Sequence, residues 1–382
     1  MPNTSFPTTH TGSLPRPADL TALLQAREDA QPTPDFDQRV AAAVNDVVRR
    51  QVDAGVTVVN DGEMGKIGYS TYVTSRLTGF GLADTPTSRP VFDLAEFPDL
   101  PDYRRAVAPA IRYAWTAVCT GDIKLKDSQA VQTDIANLKS AGKAAGAQEL
   151  FMSAASPGVV SVFIPDHHYN NHANYVGAIA DAMRSEYRAI VDAGIILQLD
   201  CPDLAMVASR YPSLEEFRQF AATNVEVLNH ALQGLPPERL RLHICWGNYE
   251  GPHNHDVELK DIIDIVLRVN ASGLSIEASN PRHAHEWRVF EDTPLPDGRY
   301  VVPGVIDSTN NFVEHPDLVA ERLLNYASVV GAERVVAGSD CGFGTFAGVS
   351  NVAPSVVWAK FQSMSEGARR AGERVASPAG AR

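Results

Sequence analysis

A histidine and a cysteine lie two positions apart in the stretch Leu-His-Ile-Cys-Trp, as His243 and Cys245. Apolar residues alternate with other residues from 240 to 245, which predicts a short strand. Side chains two apart on a strand point to the same face, so His243 and Cys245 could bind one metal ion without bending the backbone. On its own, such a pair more often belongs to a buried core than to a metal site.

Two later stretches favour the metal interpretation. The strand predicted at 274–279 carries Glu277, and a carboxylate in a buried strand is costly unless it is paired or bound to a metal. A valine-rich strand at 335–341 runs into a glycine-rich turn and carries Cys341. Nitrogen and sulfur ligands at the C-terminal ends of strands are typical of zinc in barrel enzymes. The predicted zinc ligands are His243, Cys245, Glu277 and Cys341.

Composition and charge exclude several classes of function. The formal net charge of -13 argues against broad binding to nucleic acid or to an anionic membrane, because both need a basic surface. No apolar run approaches the roughly 20 residues of a membrane helix, and the first residues lack the pattern of a signal peptide. Four cysteines are too few and too scattered for a disulfide framework. We expect a cytoplasmic protein, since a reducing compartment keeps thiolates available for a metal.

Strand and helix patterns alternate along the chain. Near-continuous apolar runs such as 195–199 are typical of parallel strands that are buried on both faces. Eight strands in this alternation predict an α/β fold, a single (β/α)8 TIM barrel over residues 1–382. No dinucleotide or phosphate-loop glycine motif favours an open doubly wound sheet instead. The predicted strands are 8–14, 56–60, 149–153, 195–200, 240–245, 274–279, 300–307 and 335–341. The main predicted helices are 37–54, 128–145, 175–193, 214–233, 257–269, 316–330 and 355–372.

The region 66–146, which follows the second predicted strand, is the least regular part of the chain. It carries five prolines and an acidic stretch at 93–102, which indicates an irregular insertion. A long connection in a compact fold is often functional, for instance as a cover over an active site. A surface insertion without such a role fits the pattern equally well. Near its end, Ser128 is predicted to cap the helix that follows.

These motifs resemble the catalytic C-terminal barrel of the cobalamin-independent methionine synthase family, which includes the epoxyalkane:coenzyme M transferase branch. The resemblance rests on His-x-Cys, on Ile-Glu-Ala-Ser at 276–279 and on Ser-Asp-Cys-Gly-Phe-Gly-Thr at 339–345. It begins at Thr-Thr-His-Thr-Gly-Ser at 8–13, and so covers nearly the whole chain. It implies a zinc-dependent thiol S-alkyltransferase, since zinc can hold a small thiol as the nucleophilic thiolate near neutral pH.

The resemblance also implies where an amino-acid thiol would bind. Glu63 and Asp200 match the family's carboxylates for the substrate amine. Gly12 and Ser13 match its backbone contact to the substrate carboxylate, and Asp307 matches the aspartate of the Asp-x-His motif that follows strand seven.

Two departures from the family pattern put a methyl-folate donor in doubt. Thr309 stands where the family has a histidine that is implicated as a proton donor. The segment 156–163 lacks the family's folate-stacking tryptophan. His253 and His255, which follow the strand of His243, are candidate replacements for the missing catalytic acid, although a lone histidine is more often structural than catalytic.

Three functions remain open at this point. The first is transfer of a methyl or alkyl group from a small donor to a homocysteine-like thiol. The second is opening of an epoxide by coenzyme M, whose sulfonate needs a cation such as Arg16 or Lys66. The third is a zinc-bearing barrel that binds thiols without turnover. In each case we expect small-molecule partners and zinc, without nucleic acid or membrane, and the barrel could pair as a homodimer.

Overall fold

Parallel strands with helices between them dominate the structure, a computed structural model that describes residues 5–84, 96–97, 99–100 and 116–377. Seven strands form one sheet in which all neighbours are parallel. In spatial order they are β1 (Val58–Val59), β4 (Glu149–Ala155), β5 (Ile196–Asp200), β6 (Leu240–His243), β7 (Gly273–Glu277), β8 (Tyr300–Ile306) and β9 (Gly338–Ser339). A separate antiparallel hairpin pairs β2 (Phe80–Leu82) with β3 (Ala117–Cys119).

Helices alternate with the strands of the sheet. The longer ones are α1 (Ala18–Glu28), α2 (Phe36–Asp53), α4 (Gln129–Ala145), α5 (Pro157–Phe163), α6 (His172–Asp192), α7 (Leu214–Ala231), α10 (Pro316–Val330) and α11 (Pro354–Ala376). Three single-turn helices are α3 (Val73–Arg76), α8 (Ile263–Val266) and α9 (Val289–Asp292). The buried valines of α2 at 40, 44, 47 and 48 recur at the three-to-four spacing of one helix face. In the described ranges, no helix combines the length and the apolar character that crossing a membrane requires.

An N-terminal segment connects the two edges of the sheet. The N–H of Thr9 donates to the carbonyl of Ala337, and the N–H of Ala337 donates to that of Pro7, both at 2.8 Å. On the other side, the N–H of Val58 donates to the carbonyl of Thr8 at 2.9 Å. The segment therefore lies between β1 and the chain that leads into β9.

The parallel register brings the C-terminal ends of the strands to one edge of the sheet. Asp200 pairs with His243 across β5 and β6, and Glu277 pairs with Gly304 across β7 and β8. Each site residue predicted at a strand end therefore faces the same side of the molecule as its neighbours.

Several predicted boundaries are wrong. The strand predicted at 8–14 is reduced to an isolated bridge at Thr8, and the one predicted at 335–341 contains only β9 and isolated bridges. Helix α1 was not predicted, because Pro15 and Pro17 indicate a loop. In fact Pro17 precedes the helix, where a missing N–H costs no helical hydrogen bond. The helix predicted at 257–269 is broken into a 3-10 turn and the short α8.

The region 66–146 is only partly irregular. Its last part, α4, packs against α2 as a regular helix beside the sheet. Ser128 occupies the N-cap position of α4, but its side chain accepts no capping hydrogen bond; Asp127 Oδ1 accepts one from the N–H of Gln129 at 2.7 Å instead. Residues 85–95, 98 and 101–115 lie outside the described residues, so an active-site cover in this region stays a prediction.

Candidate metal centre and substrate pocket

Three of the four predicted zinc ligands meet at the C-terminal edge of the sheet. Strand β6 ends on His243, Cys245 follows two residues later, and Cys341 follows β9. Their ligand atoms all lie within 4.8 Å of one another, and all three side chains are buried. One nitrogen and two sulfur donors at this spacing suit a zinc ion.

The ring of His243 is unusual among buried side chains. Neither of its nitrogens has a hydrogen-bond partner within the described chain. Buried polar atoms are rarely left unpaired, so these two atoms point to a missing ligand. Burial, and next the positive charge of Arg241, lowers the pKa of His243 to about 3. The imidazole is therefore neutral near pH 7, as a metal ligand must be.

The two cysteines of this group lie in contact with each other. The Sγ of Cys341 lies 3.9 Å from the Sγ of Cys245. The hydrogen bond to Cys245, followed by burial, raises the pKa of Cys341 well above its ordinary value. A bound cation would instead favour the deprotonated thiolates, because cysteines that coordinate a metal lose their protons.

The fourth predicted ligand, Glu277, is not part of this close group. Its Oε1 accepts the backbone N–H of Trp246 at 2.8 Å, and its Oε2 accepts the amide of Asn280 at 2.9 Å. Glu277 is buried directly beside the group, since it raises the pKa of Cys341 through its charge. The structure therefore places it next to the metal site with its carboxylate held by two donors.

Two buried carboxylates, Glu63 and Asp200, interact through their charges. Glu63 Oε1 accepts the hydroxyl of Ser153 at 2.6 Å, whereas its Oε2 has no hydrogen-bond partner in the described ranges and lies 3.7 Å from Arg16 Nη2. Burial, followed by the charge of Glu63, raises the pKa of Asp200 well above its ordinary value. A substrate ammonium placed between them would give Glu63 Oε2 a hydrogen-bond donor. Its positive charge would also favour the ionised form of Asp200.

The backbone at Gly12 leaves room beside Glu63. Gly12 has φ +139°, and a Cβ there would lie 3.2 Å from both Glu63 Oε1 and Asn60 Nδ2. Glycine is therefore required by space as well as by conformation. The carbonyl of Ser13 accepts the N–H of Phe343 at 2.8 Å, which ties this segment to the loop that carries Cys341.

Comparison with known proteins agrees with this geometry. Residues 158–360 match the model of the family described as the catalytic domain of cobalamin-independent synthases, and that match covers more than half of the chain. The chain belongs to this family. Strands β5 to β9 and all four predicted zinc ligands lie within the part that matches the cobalamin-independent synthase family.

Relatives of this cobalamin-independent synthase domain extend the match over nearly the whole chain. A methionine synthase of Sulfolobus acidocaldarius is 23% identical over 341 residues, covering 89% of this chain and 86% of the relative. A 2-hydroxypropyl-CoM lyase of Xanthobacter autotrophicus is 24% identical over 371 residues, covering 88% and 89%. The structure of a B12-independent methionine synthase from Shewanella sp. W3-18-1 superposes with a TM-score of 0.73 at 20% identity, covering 97% and 99%.

Each of the predicted catalytic residues of this synthase-family chain has hydrogen-bond or ion-pair partners in the described structure. Asp307 Oδ1 accepts the N–H and the hydroxyl of Thr309 at 2.6 and 2.7 Å. His253 is held by Asp256 Oδ2 at 2.7 Å and by the carbonyl of Tyr249 at 3.1 Å. His255 is exposed and pairs with Glu96 at 2.8 Å. Although burial acts against it, the hydrogen bond to Asp256 and the charges of Asp256 and Glu277 raise the pKa of His253, so His253 lies within electrostatic reach of Glu277.

A buried network behind the metal group was missed by sequence reasoning. The indole of Trp246 stacks on the ring of His283 at 3.9 Å, and His283 contacts Glu286 at 2.8 Å and Asp256 at 3.1 Å. Although burial acts against it, these hydrogen bonds and the charge of Glu277 raise the pKa of His283 to about 9. The backbone N–H of Trp246 also donates to Glu277. This network therefore helps to position the carboxylate that borders the group of His243, Cys245 and Cys341.

Asp340 is a second residue that sequence reasoning missed. Its carboxylate accepts the N–H groups of Ala278, Ser279 and Asn280 at 2.7, 2.9 and 2.7 Å. It therefore orders the loop that follows Glu277. Its position immediately before Cys341 in the third motif is the signal that could have identified it.

Proposed function

We propose that this protein is a zinc-dependent thiol S-alkyltransferase that acts on a homocysteine-like thiol. The observation that carries the proposal is the group of His243, Cys245 and Cys341, in which both nitrogens of a buried neutral histidine lack a partner. These three residues would hold the zinc, with Glu277 beside them as a fourth ligand that can exchange. When bound, zinc supplies the positive charge that keeps a substrate thiol deprotonated near neutral pH.

The protein's own residues would bind and orient the thiol. Glu63 Oε2 and Asp200 would accept the substrate ammonium, and the backbone at Gly12 and Ser13 would receive its carboxylate. The thiolate sulfur would then attack an electrophilic carbon of the donor. Holding both groups in place converts a slow bimolecular encounter into a reaction between aligned partners.

The relative named 2-hydroxypropyl-CoM lyase favours a second candidate, opening of an epoxide by coenzyme M. That reaction needs a cation for the sulfonate. Arg16 is turned toward the carbonyls of Leu14, Gly344 and Lys66, and Lys66 Nζ donates to the carbonyl of Ser153 at 2.6 Å. These engaged cations, together with a Glu63 Oε2 that accepts no hydrogen bond among the described residues, support an amino-acid thiol over a sulfonate.

We also propose that the sheet closes as a (β/α)8 barrel over the whole chain. The hydrogen bonds of Thr8 and Thr9 to both edges of the seven-stranded sheet support this closure, with the N-terminal segment as the eighth strand. A protein that depends on two thiolates would work in a reducing compartment such as the cytoplasm.

The first experiment is a titration of the cobalt-substituted protein with homocysteine and, separately, with coenzyme M. We expect homocysteine to produce a sulfur-to-cobalt absorption band at lower concentration than coenzyme M does. A band with coenzyme M alone would support the epoxide reaction instead. Failure to retain any metal would remove the proposed site. Loss of free thiol on incubation with an electrophile would exclude a barrel that only binds thiols.

A further inference from the structure

Three aromatic side chains from three separate segments of the chain pack together near the candidate site. Tyr69 follows β1, Phe163 ends α5 after β4, and Phe346 follows β9. The ring centroids of Tyr69 lie 5.6 Å from Phe163 and 5.8 Å from Phe346, and the latter two are 6.0 Å apart. The rings meet at 79°, 65° and 50°, so together they present aromatic faces in different directions, and all three are half-buried. We call them the aromatic corner.

The aromatic corner borders the thiols. The N–H of Tyr69 donates to the carbonyl of Thr345 at 3.1 Å, four residues after Cys341. Burial, followed by the charges of Cys245, Cys341, Asp200 and Asp203, raises the pKa of Tyr69 well above its ordinary value. The phenol therefore lies within electrostatic reach of both proposed metal ligands and of the substrate carboxylates. A donor that approaches the thiol sulfur would meet this aromatic surface.

Acidic side chains lie near the aromatic corner, and the neighbouring cations are engaged. Arg241 donates to Gln198, Thr9 and His10, in addition to the contacts already given for Arg16 and Lys66. These are the cations that act on Glu63 and Asp200. A positively charged donor would be favoured by the carboxylates and by the ring faces, which attract cations through their quadrupole.

The supply of protons for the leaving group further restricts which kind of alkyl donor the site could use. A folate amine or an epoxide oxygen must gain a proton as it leaves the transferred carbon. Thr309 and Asp307 hydrogen-bond each other, His253 is held by Asp256, and His255 faces solvent. Among the described residues, these candidate acids therefore either have other hydrogen-bond partners or face solvent.

We propose that the aromatic corner of Tyr69, Phe163 and Phe346 binds a small methyl onium, a sulfonium or a quaternary ammonium, as the alkyl donor. This inference rests on the proposed thiol alkyltransferase function. The thiolate sulfur forms a bond to the methyl carbon while the bond from that carbon to the onium centre breaks. The electron pair leaves with the onium centre, which departs as a neutral thioether or amine. No proton and no further reactant is needed, which fits a site without a placed acid.

The test measures methyl transfer to homocysteine by the zinc-loaded protein. The donors compared are S-methylmethionine, trimethylsulfonium, glycine betaine, 5-methyltetrahydrofolate and propylene oxide. We expect turnover with at least one onium and none with 5-methyltetrahydrofolate or propylene oxide. Comparison of turnover with the two sulfonium donors and with glycine betaine shows which onium centre is used. Turnover with folate or epoxide and with no onium would overturn the inference.

Ring-removing variants then test whether the aromatic corner binds the donor. Phe346→Leu and Phe163→Leu keep apolar volume, and we expect each to raise the KM for the onium about tenfold, as loss of a cation–π contact should. The homocysteine midpoint of the cobalt band should move less than twofold. The matched control is Phe312→Leu, the same exchange at a ring that is 81% exposed. Equal effects of all three exchanges would contradict a binding role.

The cobalt band with homocysteine distinguishes failure of the alkyltransferase function from failure of the onium donor. No band with homocysteine would overturn the alkyltransferase function, and this inference with it. A normal band without onium turnover would overturn the onium donor alone.

Discussion

The Sγ atoms of Cys245 and Cys341 lie 3.9 Å apart, although the two residues are 96 positions apart in the sequence. Two thiolates bound to one tetrahedral zinc at about 2.3 Å each would be roughly 3.8 Å apart. The spacing that the fold imposes on the two sulfurs is therefore close to the spacing that zinc requires. Little rearrangement is needed to bind the ion.

Replacement of the proposed ligands should affect zinc content unequally. We expect Cys341→Ser to lose most of its zinc, because a thiolate is exchanged for a poor ligand. Glu277→Gln should retain more, since that carboxylate is already held by Trp246 and Asn280. Zinc per protein, measured by elemental analysis after dialysis, checks this. Cys119→Ser is the matched control, a buried thiol on the β2–β3 hairpin. Equal loss in Cys341→Ser and Glu277→Gln would show that Glu277 is an equal ligand.

Removal of the charge at Glu63 should weaken binding of an amino-acid thiol. Glu63→Gln leaves the substrate ammonium with a neutral partner, and we expect the Kd of homocysteine to rise at least about tenfold, as for loss of a charged hydrogen bond. Titration of the cobalt protein measures this. The thiol 4-mercaptobutyrate lacks the amine and should bind both proteins alike. Glu215→Gln, at an exposed position on α7, is the control for the exchange itself. A parallel loss with 4-mercaptobutyrate would indicate general damage to the pocket.

The free energy of unfolding should fall as pH rises through the titration of His283. Its pKa is about 9 in the folded protein, against an ordinary value of about 6.5. A raised folded pKa contributes stability that is fully present below pH 6.5 and is lost as pH approaches 9, by roughly 3 kcal/mol in all. Urea unfolding of the metal-free protein at pH 6, 7.5 and 9 measures the loss.

His283→Gln is the variant that isolates this contribution. It should be less stable than the unmodified chain at pH 6, and the difference should shrink toward pH 9. His230→Gln, at an exposed histidine paired with Asp181, should show no such convergence. Parallel pH profiles for the unmodified chain and His283→Gln would contradict a protonated His283.

Sequence reasoning predicted that His243, Cys245 and Cys341 would meet because its signals are local. His243 and Cys245 are two apart at the end of an apolar strand, and Cys341 follows a valine-rich one. Period-two patterns predict which residues share a face, and parallel strands bring their ends together. The close approach of these three side chains was therefore predictable, as was the order of the parallel strands.

Contacts between loops were not predictable in this way. Whether Glu277 faces the metal or the N–H of Trp246 depends on how two loops pack, and no periodicity reports that packing. His253 is buried and adopts a left-handed backbone with φ +55°, whereas His255 is exposed, and no periodicity predicts this difference. The aromatic corner draws on three segments that are far apart in sequence, so it has no local pattern.

The hydrogen bonds of the N-terminal segment have a consequence for biosynthesis. The backbone N–H of Thr11 donates to the hydroxyl of Ser339 at 3.1 Å across a sequence separation of 328 residues. On the ribosome, the first residues emerge long before their partners beside β9 exist. The N-terminal segment therefore stays unpaired along one edge until nearly the whole chain has been translated. Pairing of the N-terminal segment with the residues beside β9 is thus a late event, and one sheet edge stays open for most of the synthesis of the chain.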